Sequence, residues 1–513
     1  MATSNRRRSV AGKILVKGGL VYDHDGDVHK PLAADILIEN STISAIGANL
    51  PPQQTSGAKV LDASQHIVIP GLINAHYHSH DTLCRGLFEE LPLEYWLLYT
   101  LPLGGNRSKA EVRLRTLVGA LEAMRCGITT LQDMLGLIPF SEENIDTVLD
   151  AYAEIGERVV FSPMVSDIPA VGMIRNSNML PPDIQEMLGT KTLGPAREQI
   201  DFLHAQIRRR PAAGTLHWAC GPFAPQRSSP ELLEMCADLA ERHDLPVYTH
   251  VYETRAQALI AREAYAKYGG SFMNYMKSCG ILNRRLNIAH SVWITREEMD
   301  MMAAADAGAV LNHNSNLKLK SGVAPILDMR EAGMRVGLGC DNCSGSDVQN
   351  MFQSMKAYCM LAAVSDPAPG PPLAREALRN ATLGSARSAL LDDRLGAIKQ
   401  GYKADLVLLD LNDTAYLPYN SAARQIVYTE TGRGIDHVII DGRVVIENRK
   451  VTTIDEAALR DEVRSLMKNF IPEYDRIVKE RSVALPYLLQ AHESVWASPL
   501  KLHRFLSRTR YDS

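Results

Sequence analysis

Apolar and polar positions alternate with different periods along the chain. These periods distinguish two strand-rich stretches from a middle part in which strands and helices alternate. Residues 12–68 and 396–451 contain short apolar runs separated by Gly, Asn and Asp, the pattern of strands joined by turns. In the second stretch, Asp441-Gly442 lies between two apolar runs and is a strong hairpin signal. Neither stretch alone could close a core. We therefore predict one small β-sandwich that is assembled from both stretches.

The middle of the chain, residues 69–390, alternates short apolar runs with segments of helical spacing. Leu286–His290 is one predicted strand, and residues 113–126, 230–242 and 296–307 are predicted helices. Strand–helix alternation over this length predicts an α/β domain that folds as a (β/α)8 TIM-like barrel. Residues 452–513 are predicted to form a helical C-terminal tail.

Composition narrows the class of protein. The 513 residues are 46% hydrophobic and 22% charged, with a formal net charge of -4 and a pI near 6.4. This balance is typical of a globular protein with a large core and does not suggest nucleic-acid or membrane partners. No apolar stretch approaches the ~20 residues of a membrane helix, and no apolar region follows the basic residues 1–10, so we expect no signal peptide. The eight scattered cysteines are typical of free thiols in the cytoplasm, where we expect the protein.

Two histidines follow the first apolar run of the middle domain, in the order His76-Tyr-His78. Because side chains alternate along a strand, residues i and i+2 project from one face and can bind the same metal ion. The C-terminal ends of barrel strands meet at one mouth, so residues that end later strands are expected to join this pair. These residues are His250 with Glu253 beyond it, His290, His313 and Asp341.

The order of these motifs resembles that of the amidohydrolase superfamily over nearly the whole chain. The motif that contains His76 and His78 opens the series, and the later motifs are similar as well. They are His250-Val-Tyr-Glu-Thr, Ala289-His-Ser, Ser315-Asn-Leu-Lys-Leu and Gly337-Leu-Gly-Cys-Asp. The chain is most similar to the branch that contains cytosine, guanine and thioadenosine/adenosylhomocysteine deaminases and the triazine hydrolases.

The resemblance implies that one divalent metal ion, zinc or alternatively iron, is held by His76, His78, His250 and Asp341. Three imidazoles and one carboxylate leave a coordination position open for water, as catalytic zinc sites do. Binuclear relatives bridge two ions with a Lys or Glu on a middle strand. Between residues 131 and 250 the only lysine is Lys191, in a predicted loop, which favours a single ion.

The resemblance also implies catalytic roles for Glu253, His290 and Asp341. Glu253 would carry protons to a ring nitrogen and to the leaving group, and His290 would polarise the carbon under attack. Asp341 would accept a proton from water as well as bind the metal. The alternatives are a solvated loop carboxylate for Glu253, core histidines for His290 and His313, and a helix cap for Asp341.

The predicted substrate-binding residues are Trp96, Phe223, Gln226 and His313. Trp96 follows the first barrel strand and could form an aromatic wall for a flat ring. Nucleoside-type deaminases of this branch carry Gly/Ala-Pro-His-Ala-Pro-Tyr where this chain has Gly221-Pro-Phe-Ala-Pro-Gln. Phe223 cannot hydrogen-bond a ring nitrogen, which argues against adenosylhomocysteine or thioadenosine as the substrate. Residues 163–200 are a candidate lid over the mouth.

Together these features predict a metal-dependent hydrolase of a C–N bond in a small molecule. Hydrolytic deamination of an amino-substituted N-heterocycle is the favoured reaction. The alternative reactions are hydrolysis of an amide, urea or carbamate, and displacement of another leaving group from a triazine-like ring. A scaffold protein without activity is a different class of alternative, and the complete set of predicted ligands argues against it. We expect a homodimer or homotetramer.

Overall fold

The structure is a computed structural model that describes residues 12–136 and 138–505. Residues 1–10, the basic start on which the signal-peptide prediction depends, lie outside these residues. Within them, no helix is long and apolar enough to cross a membrane.

The described residues form strands that fall into three sheets. They are β1 (Lys13–Val21), β2 (Leu32–Glu39), β3 (Thr42–Gly47), β4 (Lys59–Asp62), β5 (His66–Pro70), β6 (Leu72–Tyr77), β7 (Ile128–Leu135), β8 (Arg158–Val165), β9 (Leu216–Trp218), β10 (Gly221–Pro222), β11 (Val247–Val251), β12 (Leu286–His290), β13 (Gly308–Leu311), β14 (Arg335–Leu338), β15 (Leu406–Asp410), β16 (Ile435–Ile440), β17 (Arg443–Glu447) and β18 (Lys450–Val451).

Helices connect most of the middle strands and form the tail. They are α1 (Pro52–Thr55), α2 (Leu93–Gly104), α3 (Lys109–Arg125), α4 (Glu142–Ile155), α5 (Pro182–Leu188), α6 (Ala196–Arg209), α7 (Pro230–His243), α8 (Arg255–Ala264), α9 (Phe272–Ser278), α10 (Arg296–Ala304), α11 (His313–Lys318), α12 (Ile326–Glu331), α13 (Met351–Ser365), α14 (Ala374–Arg379), α15 (Ser385–Ser388), α16 (Ala422–Tyr428), α17 (Glu456–Arg481) and α18 (Leu485–Ala497). Short 3₁₀ turns include Ser79–Cys84 and Pro225–Arg227.

Both β-rich stretches contribute to one nine-stranded sheet, in the order β18-β17-β16-β15-β5-β1-β2-β3 with β4 beside β1. Antiparallel pairing of β5 with β15, from His66 opposite Asp410 to Pro70 opposite Leu406, joins the two stretches. The predicted hairpin connects β16 to β17. Gly442 in its turn has a φ of +77°, and an added Cβ would lie 1.9 Å from the Asn40 carbonyl oxygen, so only glycine fits there.

The middle of the chain forms two parallel sheets, β10-β8-β7-β6 with β9 beside β8, and β11-β12-β13-β14. All eight residues of β7 and of β8 are buried, as expected of parallel strands covered on both faces. Backbone hydrogen bonds link the two sheets on both sides. Tyr248 N–H donates to Cys220 O at 2.9 Å, and Asp341 N–H donates to His76 O at 2.9 Å. The alternation of parallel strands and helices confirms the α/β character.

The helical tail packs on the helices that follow β6. Arg107 pairs with Glu473 of α17 at 2.6 Å, and the Tyr474 hydroxyl donates to Leu87 O at 3.0 Å. Further along, the ring of Trp496 lies 6.4 Å from that of Trp293, in the loop after β12. The tail therefore lies against the same end of the parallel sheets as the predicted site.

Candidate active site

The four predicted metal ligands meet at the C-terminal ends of β6, β11 and β14. Nε2 of His78 lies 3.2 Å from Nε2 of His250 and 3.3 Å from Oδ1 of Asp341. Nε2 of His76 lies 3.7 Å from the same Oδ1. All four side chains are buried.

This donor set fits a divalent cation. Both ring nitrogens of buried His76 lack a hydrogen-bond partner among the described residues. The Nε2 atoms of His78 and His250 face each other at 3.2 Å. Two ligands at ~2.1 Å from a tetrahedral zinc ion lie roughly 3.4 Å apart, close to the separations here. The outer nitrogens are already oriented, because Nδ1 of His78 bonds Met134 O and Nδ1 of His250 bonds Phe223 O at 2.7 Å. Such outer bonds direct Nε2 toward a metal.

Burial and neighbouring charges keep most of these imidazoles neutral. Burial, and then the charge of His78, hold the pKa of His76 well below its ordinary value and lower the pKa of His250 to about 3. Burial alone would raise the pKa of Asp341, but the hydrogen bond from His78 and the proximity of the His290 and His76 rings hold that pKa well below its ordinary value. Asp341 is therefore an anion, the form that binds a metal.

Glu253 and His290 lie beside this cluster. Nε2 of His290 is 3.6 Å from Oε2 of Glu253 and 3.9 Å from Oδ2 of Asp341. Burial, and then the charge of Asp341, raise the pKa of Glu253 well above its ordinary value. This shift favours the protonated form of Glu253, the form that can transfer a proton. The structure thus brings together all three residues predicted to be catalytic.

Asn316 is a residue of this site to which the sequence reasoning assigned no role. Its Oδ1 lies 2.8 Å from Nδ1 of His290, which puts the proton on Nδ1 and leaves Nε2 as an acceptor that faces Glu253. Asn316 belongs to the Ser-Asn-Leu-Lys motif that follows β13. Its position in that motif was the feature of the sequence that could have indicated a role in the site. The backbone here is also strained, with φ values of +75° at His290 and +65° at Asp341.

The predicted substrate-binding residues have different surroundings. The Phe223 ring lies 5.1 Å from the His250 ring, so it borders the cluster directly. The amide of buried Gln226 has no partner for either its nitrogen or its oxygen in the described part of the chain. Trp96 donates its indole N–H to Ser344 Oγ at 3.0 Å. His313 differs from the expectation that it ends a strand, because β13 stops at Leu311 and His313 begins α11.

A second His/Asp group lies in the nine-stranded sheet. Oδ2 of Asp436 lies 3.1 Å from Nε2 of His66 and 3.2 Å from Nε2 of His437. The Asn448 N–H donates to Nδ1 of His437 at 3.4 Å, which leaves the proton of that ring on Nε2, facing the carboxylate. We interpret this group as a hydrogen-bonded link between β5 and β16.

Comparison with known proteins agrees with this arrangement. The profile described as "Amidohydrolase family" matches residues 67–445. The chain belongs to the amidohydrolase family. It is 32% identical over 452 residues to a 5-methylthioadenosine/S-adenosylhomocysteine deaminase of Carboxydothermus hydrogenoformans, with 88% of this chain and 96% of the relative covered. The predicted membership of the amidohydrolase superfamily is confirmed.

Two solved structures extend the comparison. An adenosine deaminase from Xanthomonas campestris with bound zinc is 26% identical, has a TM-score of 0.75, and is matched over 91% of this chain and 99% of its own. An atrazine chlorohydrolase from Arthrobacter aurescens, complexed with zinc, is 26% identical, has a TM-score of 0.77, and is matched over 88% and 99%. The family is metal-dependent, and the neighbours contain zinc.

Proposed function

We propose that this protein is a mononuclear metal-dependent hydrolase that deaminates an amino-substituted N-heterocycle. His76, His78, His250 and Asp341 would hold one zinc ion. The observation that carries the proposal is the position of the Glu253 carboxyl group, 3.6 Å from His290 and next to this donor set. A metal donor set alone would fit many hydrolases, but a proton donor at this place suits the loss of an amine.

The reaction adds water to the ring carbon that bears the amino group, and the C–N bond then breaks to release ammonia. A bound divalent cation lowers the pKa of water and so supplies a nucleophile near neutral pH. Asp341, an anion in this site, accepts a proton from that water. Glu253 gives its proton to the adjacent ring nitrogen, takes up the hydroxyl proton of the adduct and passes it to the departing amine. The proton held by Asp341 then restores Glu253. His290, oriented by Asn316, presents its Nε2 acceptor to the Glu253 carboxyl group and to the attacking water, and so orients both.

The substrate is proposed to be a flat aminated ring that is held near Phe223. Phe223 borders His250 and presents an apolar face, and the unpartnered amide of Gln226 offers one donor and one acceptor, the pair that an amidine edge requires. Trp96 and His313 complete the proposed set of substrate contacts. The deaminase names of two relatives support an aminated purine or a related ring as the class.

Displacement of a different leaving group from a triazine-like ring is the second candidate. It is supported by the likeness to an atrazine chlorohydrolase and by Phe223, which removes the histidine expected of nucleoside-type deaminases. The same Glu253 would then protonate the ring nitrogen, while the group that leaves would differ.

We further propose the larger organisation of the chain. The two parallel sheets would close a (β/α)8 barrel over residues 69–390, and the nine-stranded sheet would form a β-sandwich domain from residues 12–68 and 396–451. Residues 452–513 would form the tail. A homodimer or homotetramer in the cytoplasm remains our prediction.

The test is ammonia release by the zinc-loaded protein from aminopurines, aminopyrimidines, aminotriazines and simple arylamides. Ammonia from an aminated ring, abolished in Glu253→Ala, is the expected result and identifies the ring class. Turnover of a chlorinated or alkoxylated triazine without ammonia would support the second candidate. Cleavage of an arylamide alone would overturn the deaminase proposal.

A further inference from the structure

The first and last strands of the parallel sheets, β6 and β14, meet along a seam that carries the proposed metal ligands of both. No strand pairing is recorded between these two strands within the described residues. One backbone hydrogen bond crosses the seam, from Asp341 N–H to His76 O at 2.9 Å. Side chains provide further bonds, and two groups of them cross the seam.

The inner group is a pair of fully buried amides, Asn74 and Gln349. Nδ2 of Asn74 donates to Oε1 of Gln349 at 2.7 Å, and Oδ1 of Asn74 accepts the Cys340 N–H at 2.9 Å. Nε2 of Gln349 then donates to the main-chain oxygen of Asp341 at 2.9 Å. The two amides therefore connect the strand of His76 directly to the residue that supplies the carboxylate.

The outer group is centred on Asp81, a buried carboxylate in the 3₁₀ turn after His78. It accepts the backbone N–H groups of Cys343 at 3.1 Å and of Ser344 at 3.0 Å, and it also accepts the Ser344 hydroxyl. The oxygen of that hydroxyl accepts the Trp96 indole N–H. Asp81 therefore fixes the loop after Asp341 to the turn after His78.

These bonds act on a strained residue. Asp341 has a φ of +65°, a left-handed conformation that is unfavourable for a residue other than glycine. Its N–H is held by His76 O, and its carbonyl oxygen is held by Gln349. Without these partners the residue can relax to a negative φ, which would move its carboxylate relative to His76 and His78.

We propose that Gln349 and Asp81 are positioning residues that hold the Asp341 carboxylate against His76 and His78. This inference rests on the proposed function, because it takes these three residues as metal ligands. Neither Gln349 nor Asp81 is expected to touch the metal or the substrate. Loss of a partner that orients a ligand typically weakens metal affinity 10–100-fold.

Zinc affinity, measured by competition with a chromophoric chelator, tests the proposal without relying on activity. Gln349→Leu keeps the size of the side chain and deletes both amide bonds, and Asp81→Asn replaces an acceptor oxygen with an N–H group that faces another donor. The matched control is Asn350→Ala. Asn350 is the next residue, equally polar and buried; it bonds Thr431 O and Gln353 N but neither seam strand.

We expect both seam variants to bind zinc 10–100-fold more weakly, while Asn350→Ala binds it within two-fold of wild type. The melting temperature of each metal-free variant is measured in parallel, because a general loss of stability would lower it for the control as well. Unchanged zinc affinity in both seam variants, or an equal loss in the control, would overturn the positioning role.

The outcome is separable from that of the proposed function. A wild-type protein that binds zinc but releases no ammonia would reject the deaminase proposal and leave the affinity comparison intact. A wild-type protein that binds no zinc would reject both.

Discussion

Arg158 and Asp405 form a buried ion pair that joins a parallel sheet to the nine-stranded sheet, and Asp405→Asn should break it. The guanidinium is 1% exposed and bonds both Asp405 oxygens, at 2.9 and 3.0 Å. Removal of one partner of a buried pair costs about 3–5 kcal/mol, because the remaining charge stays buried. Arg158 would keep Gly214 O at 3.0 Å and Asp441 at 3.2 Å. We therefore expect a loss of about 3 kcal/mol in the free energy of unfolding, the low end of that range.

Urea unfolding followed by tryptophan fluorescence measures this loss. The control is Asp244→Asn, which removes ion pairs to Arg284, at 3.1 Å, and to Arg285; the Asp244 side chain is 67% exposed. Exposed pairs contribute about 0–1 kcal/mol, so the control should differ little from wild type. The double variant Arg158→Met/Asp405→Leu should recover most of the stability, because it leaves no unpaired charge. Equal effects of Asp405→Asn and Asp244→Asn would refute the reasoning.

Three further variants test other parts of the account. Glu157 is fully buried, and burial raises its pKa well above 4.5, so the folded protein retains a proton that the unfolded chain loses. The free energy of unfolding of the wild type therefore falls as pH rises above ~4.5. Between pH 5 and 8, urea unfolding should show that Glu157→Gln becomes more stable relative to wild type. Plots of unfolding free energy against pH that run parallel for the two proteins would contradict this. Asn316→Leu should lower kcat at least about ten-fold with little change in KM, because the His290 ring loses its orientation; an unchanged kcat would contradict the role. Phe223→His should raise the ratio of kcat/KM for thioadenosine to kcat/KM for a free aminated ring at least about ten-fold. An unchanged ratio would argue against Phe223 as a specificity residue.

The metal ligands and His290 could be located from the sequence because they lie at or just beyond the ends of apolar runs. His290 is the last residue of β12, and His250 lies one residue before the end of β11, so strand pattern alone assigned both to the same end of a sheet. The same reasoning was less accurate for His313, since β13 ends at Leu311 and a helix begins. Strand ends are set by hydrogen bonds to neighbouring strands, which apolar pattern does not encode.

The hydrogen bonds that position the site residues could not be predicted from the sequence. Gln349 and Asp81 reach residues more than two hundred positions away in the chain, and no local pattern indicates such partners. The left-handed backbone at Asp341 is equally hidden, because only glycine reveals a positive φ in a sequence. The pairing of β5 with β15 could be predicted only as a shared domain, and its register depends on packing between the two stretches.

The central claim is that a metal held by the histidines works together with the proton carried by Glu253. The most direct measurement determines zinc content and ammonia release together for wild type, His250→Ala, Glu253→Gln and Glu157→Gln on the best aminated ring. His250→Ala is expected to lose zinc and turnover together. Glu253→Gln should keep its zinc and lose turnover at least about 100-fold, whereas Glu157→Gln, which alters a buried carboxyl outside the site, should retain both. A Glu253→Gln variant with wild-type turnover, or a zinc-free His250→Ala variant that still releases ammonia, would contradict the account.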